Sequence, residues 1–118
     1  MRQLRVNELL RRELGEILHT DYRDQTVRIT ITEVDVSPDL RNGDVYFSVI
    51  GGETDRAAAE RFFDRRGSEL RRKVARRVIL KYLPTLRFHL DDSIERGNRT
   101  LEVLDELAAE ENPPEPKD

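Results

Sequence analysis

Apolar residues at helical spacing open the chain, and a two-residue alternation follows them. The helical positions recur every three or four residues and predict one buried stripe, made of Val6, Leu10, Leu14 and Ile17. The stretch TVRITITEVDV alternates instead, which predicts a β-strand. Its apolar phase slips by one residue between Ile31 and Val34. Because such a slip would turn the strand over, we predict a β-bulge near Thr32–Val34.

The next pattern indicates a hairpin and then a helical crossover. SPDLRNG is rich in turn residues, and DVYFSVI is a second alternating strand, so the two strands should pair antiparallel. Helical spacing returns in DRAAAERFFDRR, with Ala58, Ala59, Phe62 and Phe63 as its apolar side. Gly67 weakens the helix, and we predict a break there. A second helix should then continue to Pro84, with its apolar stripe made of Leu70, Val74, Val78, Ile79 and Tyr82.

The end of the chain adds a third strand, a short helix and a tail. TLRFHLD alternates, RTLEVLDELAAE spaces leucines at Leu101, Leu104 and Leu107, and ENPPEPKD holds three prolines and no apolar residue. The predicted order is α-β-β-α-α-β, an α+β fold with helices on one face of a three-stranded sheet. We expect one domain over 1–108 and a disordered acidic, proline-rich tail over 109–118.

Composition narrows the class of protein. The chain of 118 residues is 38% charged and contains no cysteine, so disulfides cannot stabilise it. Its start resembles no signal peptide, and no apolar run approaches the ~20 residues of a membrane span. We therefore expect a soluble, cytoplasmic protein.

Charge is distributed unevenly along the chain. The net charge is only −3, yet residues 61–81 carry nine Lys and Arg against two acids, while residues 102–118 carry seven acids against one Lys. Phosphate binding depends on the local field, so the basic segment favours nucleic acid despite the acidic total.

The basic residues make up the candidate site. Those around the predicted break are Arg65, Arg66, Gly67, Arg71, Arg72, Lys73, Arg76, Arg77 and Lys81. A second contact is expected from the first helix, at Arg5, Arg11 and Arg12. Only Asp64 and Glu69 lie close enough in sequence to pair with this cluster, so we favour phosphate binding over a solvated or self-paired face and over an acidic lipid surface. The acidic tail could fold back over the basic helix and compete.

The sequence contains few candidate catalytic residues and no recognisable catalytic motif. His19 and His89 have no ligand partner at metal-site spacing, and neither a phosphate-binding loop nor a dinucleotide motif occurs. Asp91 and Asp92 could be paired carboxylates, but a turn-capping role after the third strand is the stronger interpretation. We expect no enzyme activity, no metal and no cofactor or small-molecule substrate.

Several stretches together resemble the bacterial ribosome-binding factor A family. They are RVNELLRRELGEIL, ITITEVDVSPDLRNGDVYFSVIGG and GSELRRKVARRVILKYLPTLRFHLDDSIERG. The resemblance implies a type II KH-like fold and a monomeric factor for assembly of the small ribosomal subunit. Such a factor binds the immature subunit and its 16S rRNA, assists late rRNA processing and matters most in the cold. It also implies a helix-kink-helix with Ala-x-Gly at the kink, matched here by Arg65-Arg66-Gly67.

Two other functions remain open at this point. One is an α+β interaction module that binds an acidic protein and no RNA. The other is a small hydrolase that uses Asp91 and Asp92.

Overall fold

The first helix buries the predicted stripe. The computed structural model describes residues 2–91, and α1 spans Arg2–Asp21. Its buried residues are Val6, Leu10, Leu14, Ile17 and Leu18. A single extra turn, α2 at Arg23–Thr26, follows and was not predicted. The Thr26 hydroxyl donates toward the carbonyls of Leu18 and Tyr22, at 2.9 and 3.0 Å, which ties this turn to the end of α1.

The hairpin and its bulge are confirmed. Strand β1 (Ile29–Val36) pairs antiparallel with β2 (Asn42–Val49). Ile31 lies opposite Phe47 and Glu33 opposite Tyr46, so Thr32 is the extra residue of the bulge. The bulge restores the apolar phase, and Ile31, Val34 and Val36 are all buried on one face.

The second long helix is continuous, so the predicted break at Gly67 is wrong. Helix α3 spans Glu53–Arg77, with Gly67 in its interior. Gly51, two residues before α3, has a φ of 131°. At the start of the helix, the Asp55 carboxylate accepts a hydrogen bond from the backbone N–H of Gly52 at 3.1 Å. At Gly67 an added Cβ would lie 3.6 Å from the Phe88 ring. The glycine thus lies under an aromatic ring of the sheet instead of breaking the helix.

Helix α3 also ends earlier than predicted, at Arg77 instead of Pro84. Val78 is extended (φ −117°, ψ 148°), and its N–H donates to the Val74 carbonyl at 3.1 Å. Ile79 is fully exposed and Tyr82 is 67% exposed, so they do not continue the buried stripe. The β-branched pair Val78-Ile79 favours extended backbone, and Leu83, directly before Pro84, is disfavoured in helix. Lys81 consequently lies beyond the helix.

The third strand completes the sheet. Strand β3 (Thr85–Leu90) pairs parallel with β2, giving the order β1-β2-β3. Phe63 of α3 packs between the rings of Phe47 and Phe88, with centroid distances of 4.4 and 4.8 Å. Helices α1 and α3 therefore cover one face of the sheet, as the α+β prediction requires. The predicted last helix and the tail lie outside the described residues, so the domain end at residue 108 stays a prediction.

Among residues 2–91, no helix is long and apolar enough to cross a membrane.

Candidate nucleic-acid interface

Helix α3 presents its basic side chains on two different sides. Its sheet-facing side is apolar and buries Ala59, Phe62, Phe63, Leu70 and Val74. Some of its cations lie at the edge that faces α1, and others lie on the side exposed to solvent. Whether each cation has a carboxylate partner decides which of them is available to an external anion.

One side of α3 is neutralised by acids. Lys73 Nζ lies 2.9 Å from Asp21 Oδ2. Arg77 Nη1 lies 3.0 Å from Glu13 Oε1 and 2.9 Å from Glu16 Oε1. Arg66 pairs within α3, with 3.3 Å to Glu69. We call Arg66, Lys73 and Arg77 the paired face. Most of its acids come from α1, at least 52 positions away in sequence, and so were not among the local partners, Asp64 and Glu69, that the sequence indicated.

The pKa values of the groups along the paired face are shifted by these contacts. The hydrogen bond from Lys73 lowers the pKa of Asp21, and the hydrogen bond to Glu16 raises the pKa of Arg77. Burial, followed by a 2.6 Å hydrogen bond to Glu69, raises the pKa of Tyr22 to about 12. The same bond lowers the pKa of Glu69. Helices α1 and α3 are thus electrostatically coupled along this side.

Arg71 also has an internal role. Its Nη2 donates to the Leu83 carbonyl at 2.8 Å and its Nε to the Pro84 carbonyl at 3.1 Å. These bonds hold the segment before β3 against α3. Arg71 was predicted to contact RNA, but its guanidinium is used here to position the chain.

A neighbouring side of α3, about 110° around the helix from the paired face, carries arginines without such partners. Arg61, Arg65, Arg72 and Arg76 are all exposed. Within residues 2–91, none of the four side chains has a hydrogen bond or an ion pair. Their spacing of four, seven and four residues places them within about 60° of the helix circumference and along about 22 Å of its length. We call these four residues the arginine stripe.

Sequence reasoning missed one member of the stripe. Arg61 was counted in the basic segment but was not among the predicted site residues. In a continuous helix the fifteen-residue step from Arg61 to Arg76 returns to nearly the same side. The helical period would have found it, had the helix been taken as unbroken.

The two residues matched to the family's kink differ in position. Arg65 is exposed on the stripe, where a long side chain meets no steric obstacle. Gly67 lies on the side toward the sheet, under Phe88. Arg65 is therefore available to a ligand, whereas Gly67 serves packing between α3 and β3.

The cations predicted on α1 and at Lys81 are only partly available. Arg11 forms a salt bridge with Glu8, and Arg12 lies 3.9 Å from Glu13. Arg5 is exposed and has no ion-pair partner among the described residues. Lys81 Nζ lies 5.6 Å from the centroid of the Tyr82 ring.

Two of the four candidate acid-base groups, His89 and Asp91, have structural partners. His89 Nε2 lies 2.8 Å from Asp44 Oδ1 on the neighbouring strand, and His19 is exposed in the last turn of α1. Asp91 accepts from the Thr32 hydroxyl at 2.6 Å, beside the bulge, while Asp92 lies outside the described residues. Within the described part of the chain, no group of three or more potential ligand side chains could hold a metal ion.

Comparison with known proteins agrees with the geometry. The family model described as Ribosome-binding factor A matches residues 2–104. The Ribosome-binding factor A of Opitutus terrae is 45% identical over 116 residues, covering 98% of this chain and 94% of the relative. That of Acetivibrio thermocellus is 37% identical over 108 residues, covering 90% and 88%.

Solved structures support the fold. The crystal structure of ribosome-binding factor A from Thermus thermophilus aligns with a TM-score of 0.64 at 26% identity, covering 75% of this chain and 94% of that one. A Thermus thermophilus model fitted into the cryo-EM map of a 30S–RbfA complex aligns at 0.59 and 27% identity, covering 71% and 89%. The KH-like fold is thereby confirmed. With its family match over most of its length, this chain belongs to the Ribosome-binding factor A family.

Proposed function

We propose that this chain binds the immature small ribosomal subunit by laying the arginine stripe against phosphates of its 16S rRNA. Binding there assists the late maturation of that rRNA, without catalysis by the chain itself. The observation that carries the proposal is the stripe: four exposed arginines whose side chains have no ion pair or hydrogen bond within residues 2–91. A relative fitted into a 30S complex supplies the class of partner.

The energetics of the stripe favour an anionic partner. Like charges four residues apart on a helix repel by about 0.2–0.5 kcal/mol per pair. The stripe contains two such pairs, Arg61 with Arg65 and Arg72 with Arg76. Phosphate groups relieve this repulsion, and arginine binds phosphate with two parallel hydrogen bonds. A regular backbone of phosphates fits a row of cations about 22 Å long.

Because the cations of the paired face already have carboxylate partners, the proposed RNA site contains fewer residues than the sequence predicted. An external phosphate would compete with Asp21 for Lys73, and with Glu13 and Glu16 for Arg77. These cations therefore contribute less to RNA binding than the stripe does. Arg5, exposed on α1, extends the cationic surface beyond α3. We also propose that the factor acts in the cytoplasm as a monomer and uses no cofactor.

Two variants with equal charge change test the assignment. The first replaces Arg65, Arg72 and Arg76 by Gln, and the second replaces Arg66, Lys73 and Arg77 by Gln. Affinity for purified immature small subunits is measured for both by sedimentation across a range of salt concentrations. Circular dichroism shows whether each variant is folded at the temperature used.

We expect the stripe variant to lose affinity on the order of 100-fold and to show a weaker salt dependence. The paired-face variant should keep most of its affinity. Equal losses in both variants would mean that only net charge matters and that the stripe is not the site. Binding that neither variant reduces would place the rRNA contact on another surface and leave room for a protein partner.

A further inference from the structure

An apolar groove lies between the start of α1 and the segment that joins α3 to β3. Two adjoining cavities, of about 550 and 630 Å³, form it. Both are lined by Val6 and Leu80. The further apolar lining consists of Leu9, Leu40, Ile79 and Tyr82. Ile79 is fully exposed here and Tyr82 is 67% exposed. Large apolar side chains exposed together commonly mark an interaction surface.

The edge of this groove is positively charged. Arg2, Arg5 and Lys81 line it, and none of them has an ion-pair partner among residues 2–91. One acid, Asp39, also lines the groove. Its carboxylate already accepts from the Ser37 hydroxyl at 2.6 Å and from the Arg41 N–H at 3.1 Å. The groove therefore fits an occupant that is apolar on one side and acidic on the other.

The chain itself contains a segment with that chemistry. LEVLDELAAEE, residues 101–111, holds five acidic residues and no Lys or Arg. Its leucines at 101, 104 and 107 would share one side of a helix, with Ala108 beside them. An amphipathic helix that inserts such a side into an apolar groove is a common mode of recognition.

The link between the described chain and this segment is long enough. The groove lies near the start of β3, because Pro84 lines it. Strand β3 then runs six residues away from it, about 20 Å. The ten residues from Asp91 to Leu101 can span up to about 33 Å. The chain can therefore turn back and reach the groove.

We propose that residues 101–111 dock in this groove of the same chain, with leucines against Ile79 and Leu80 and acids beside Arg2, Arg5 and Lys81. Apolar contact and charge complementarity both favour this occupant, and the fully exposed Ile79 gains a packing partner. The docking does not depend on RNA binding, so either proposal can fail alone. It differs from the tail predicted over the basic helix, because the occupied surface is the groove and not the arginine stripe.

The absence of cysteine in the chain allows a direct test. Asn112→Cys in the full chain is labelled with a nitroxide, and NMR records paramagnetic broadening of the backbone amides. We expect broadening at residues 2–9 and 79–82, at least fivefold stronger than at residues 61–76. A Leu104→Gln/Leu107→Gln variant with the same label should lose it. Broadening over the arginine stripe, or none in the groove, would overturn the proposal.

Additional measurements distinguish intramolecular docking from the other possible occupants of the groove. Ile79→Gln should remove most of the broadening, whereas Ile50→Gln, at an exposed isoleucine outside the groove lining, should leave it unchanged. Nitroxide-labelled chain at natural isotope abundance is also mixed with ¹⁵N-labelled chain that carries no nitroxide. Broadening in that mixture would identify a second copy as the occupant. A uridine decamer is also added to the chain. If it shifts the NMR signals of the groove amides, and the nitroxide at residue 112 does not broaden them, RNA is the occupant. Either result contradicts intramolecular docking.

Discussion

The two basic sides of α3 both consist of Arg or Lys side chains, but they differ in whether carboxylates lie beside them. On the paired face, Lys73 and Arg77 lie within 3.0 Å of carboxylates of α1. On the arginine stripe, Arg72 and Arg76 have no such partner in the described chain. Adjacent residues along the helix thus serve different purposes. One side joins two helices, and the other is left available for an external anion.

A basic segment is therefore not by itself a binding surface. Residues 61–81 carry nine cations, but Arg71 holds backbone carbonyls and the paired face holds acids. Exposed ion pairs stabilise a protein only weakly, yet they lower the availability of each cation to a ligand. Counting the unpaired side chains gives a smaller and more specific site than counting charge.

Charge reversal should distinguish the two sides of α3 most strongly. Arg72→Glu/Arg76→Glu is expected to reduce affinity for immature small subunits by on the order of 100-fold or more, because two phosphate contacts become repulsions. The slope of log affinity against log salt should fall by about 2. Binding is measured by sedimentation over a salt series, well below the melting temperature.

The matched control for this reversal is Lys73→Glu/Arg77→Glu. It has the same net charge, but it places new carboxylates beside Asp21, Glu13 and Glu16. It should lower Tm more than the stripe variant and reduce affinity less. If the control loses as much affinity as the stripe variant while remaining folded, the distinction between the two sides is not functional.

The hydrophobic pattern predicted the sheet well because its signal is local. The phase slip after Ile31 located the bulge, and the alternation around Phe47 and Phe88 located two strands. Helix α3 was less well predicted. The spacing of Ile79 and Tyr82 continues the helical period, yet both side chains are exposed after the helix has ended. The periodic pattern alone cannot distinguish a continuing helix from a short extended connection whose apolar residues happen to have the same spacing.

The candidate site was predictable only in part, because its electrostatics depend on tertiary contacts. The helical period placed Arg72 and Arg76 together, which the structure retains. It could not show that Glu13 and Glu16 lie against Arg77, since these residues are more than sixty positions apart. Gly67 was interpreted as a break because glycine disfavours helix. Its contact with Phe88 is visible only after β3 is in place.

Gly67→Ala tests whether the continuity of α3, which aligns the stripe, depends on this glycine. An added Cβ would make an ordinary contact with the Phe88 ring at 3.6 Å. Alanine favours helix over glycine, so the variant should be more stable by up to about 1 kcal/mol. Urea unfolding measures the change. Lower stability in this variant would indicate that α3 needs a flexible residue at this position.

Arg77→Ala should distinguish the paired face from the arginine stripe by a smaller effect, on stability. It removes the contacts to Glu13 and Glu16, so we expect a fall in Tm of roughly a few degrees at most. In a double-mutant cycle with Glu16→Ala, the two changes should be less than additive. Arg76→Ala, the neighbouring residue on the stripe, should leave Tm unchanged and show no coupling to Glu16. Coupling at Arg76 would mean that the stripe is also paired.

The smallest expected effect is a titration at the end of the paired face, where Tyr22 donates to Glu69. Burial and this bond raise the pKa of Tyr22 to about 12, above the usual value of about 10. The stability it contributes is complete below pH 10 and is lost as pH rises toward 12, because the unfolded chain ionises first. Tyrosinate absorbance should show a late step that Tyr22→Phe removes. Glu69→Gln should move that step to lower pH, since it removes a negative charge that opposes ionisation. An unmoved step would mean that burial alone sets the pKa of Tyr22, and that Glu69 is available to pair with Arg66 alone.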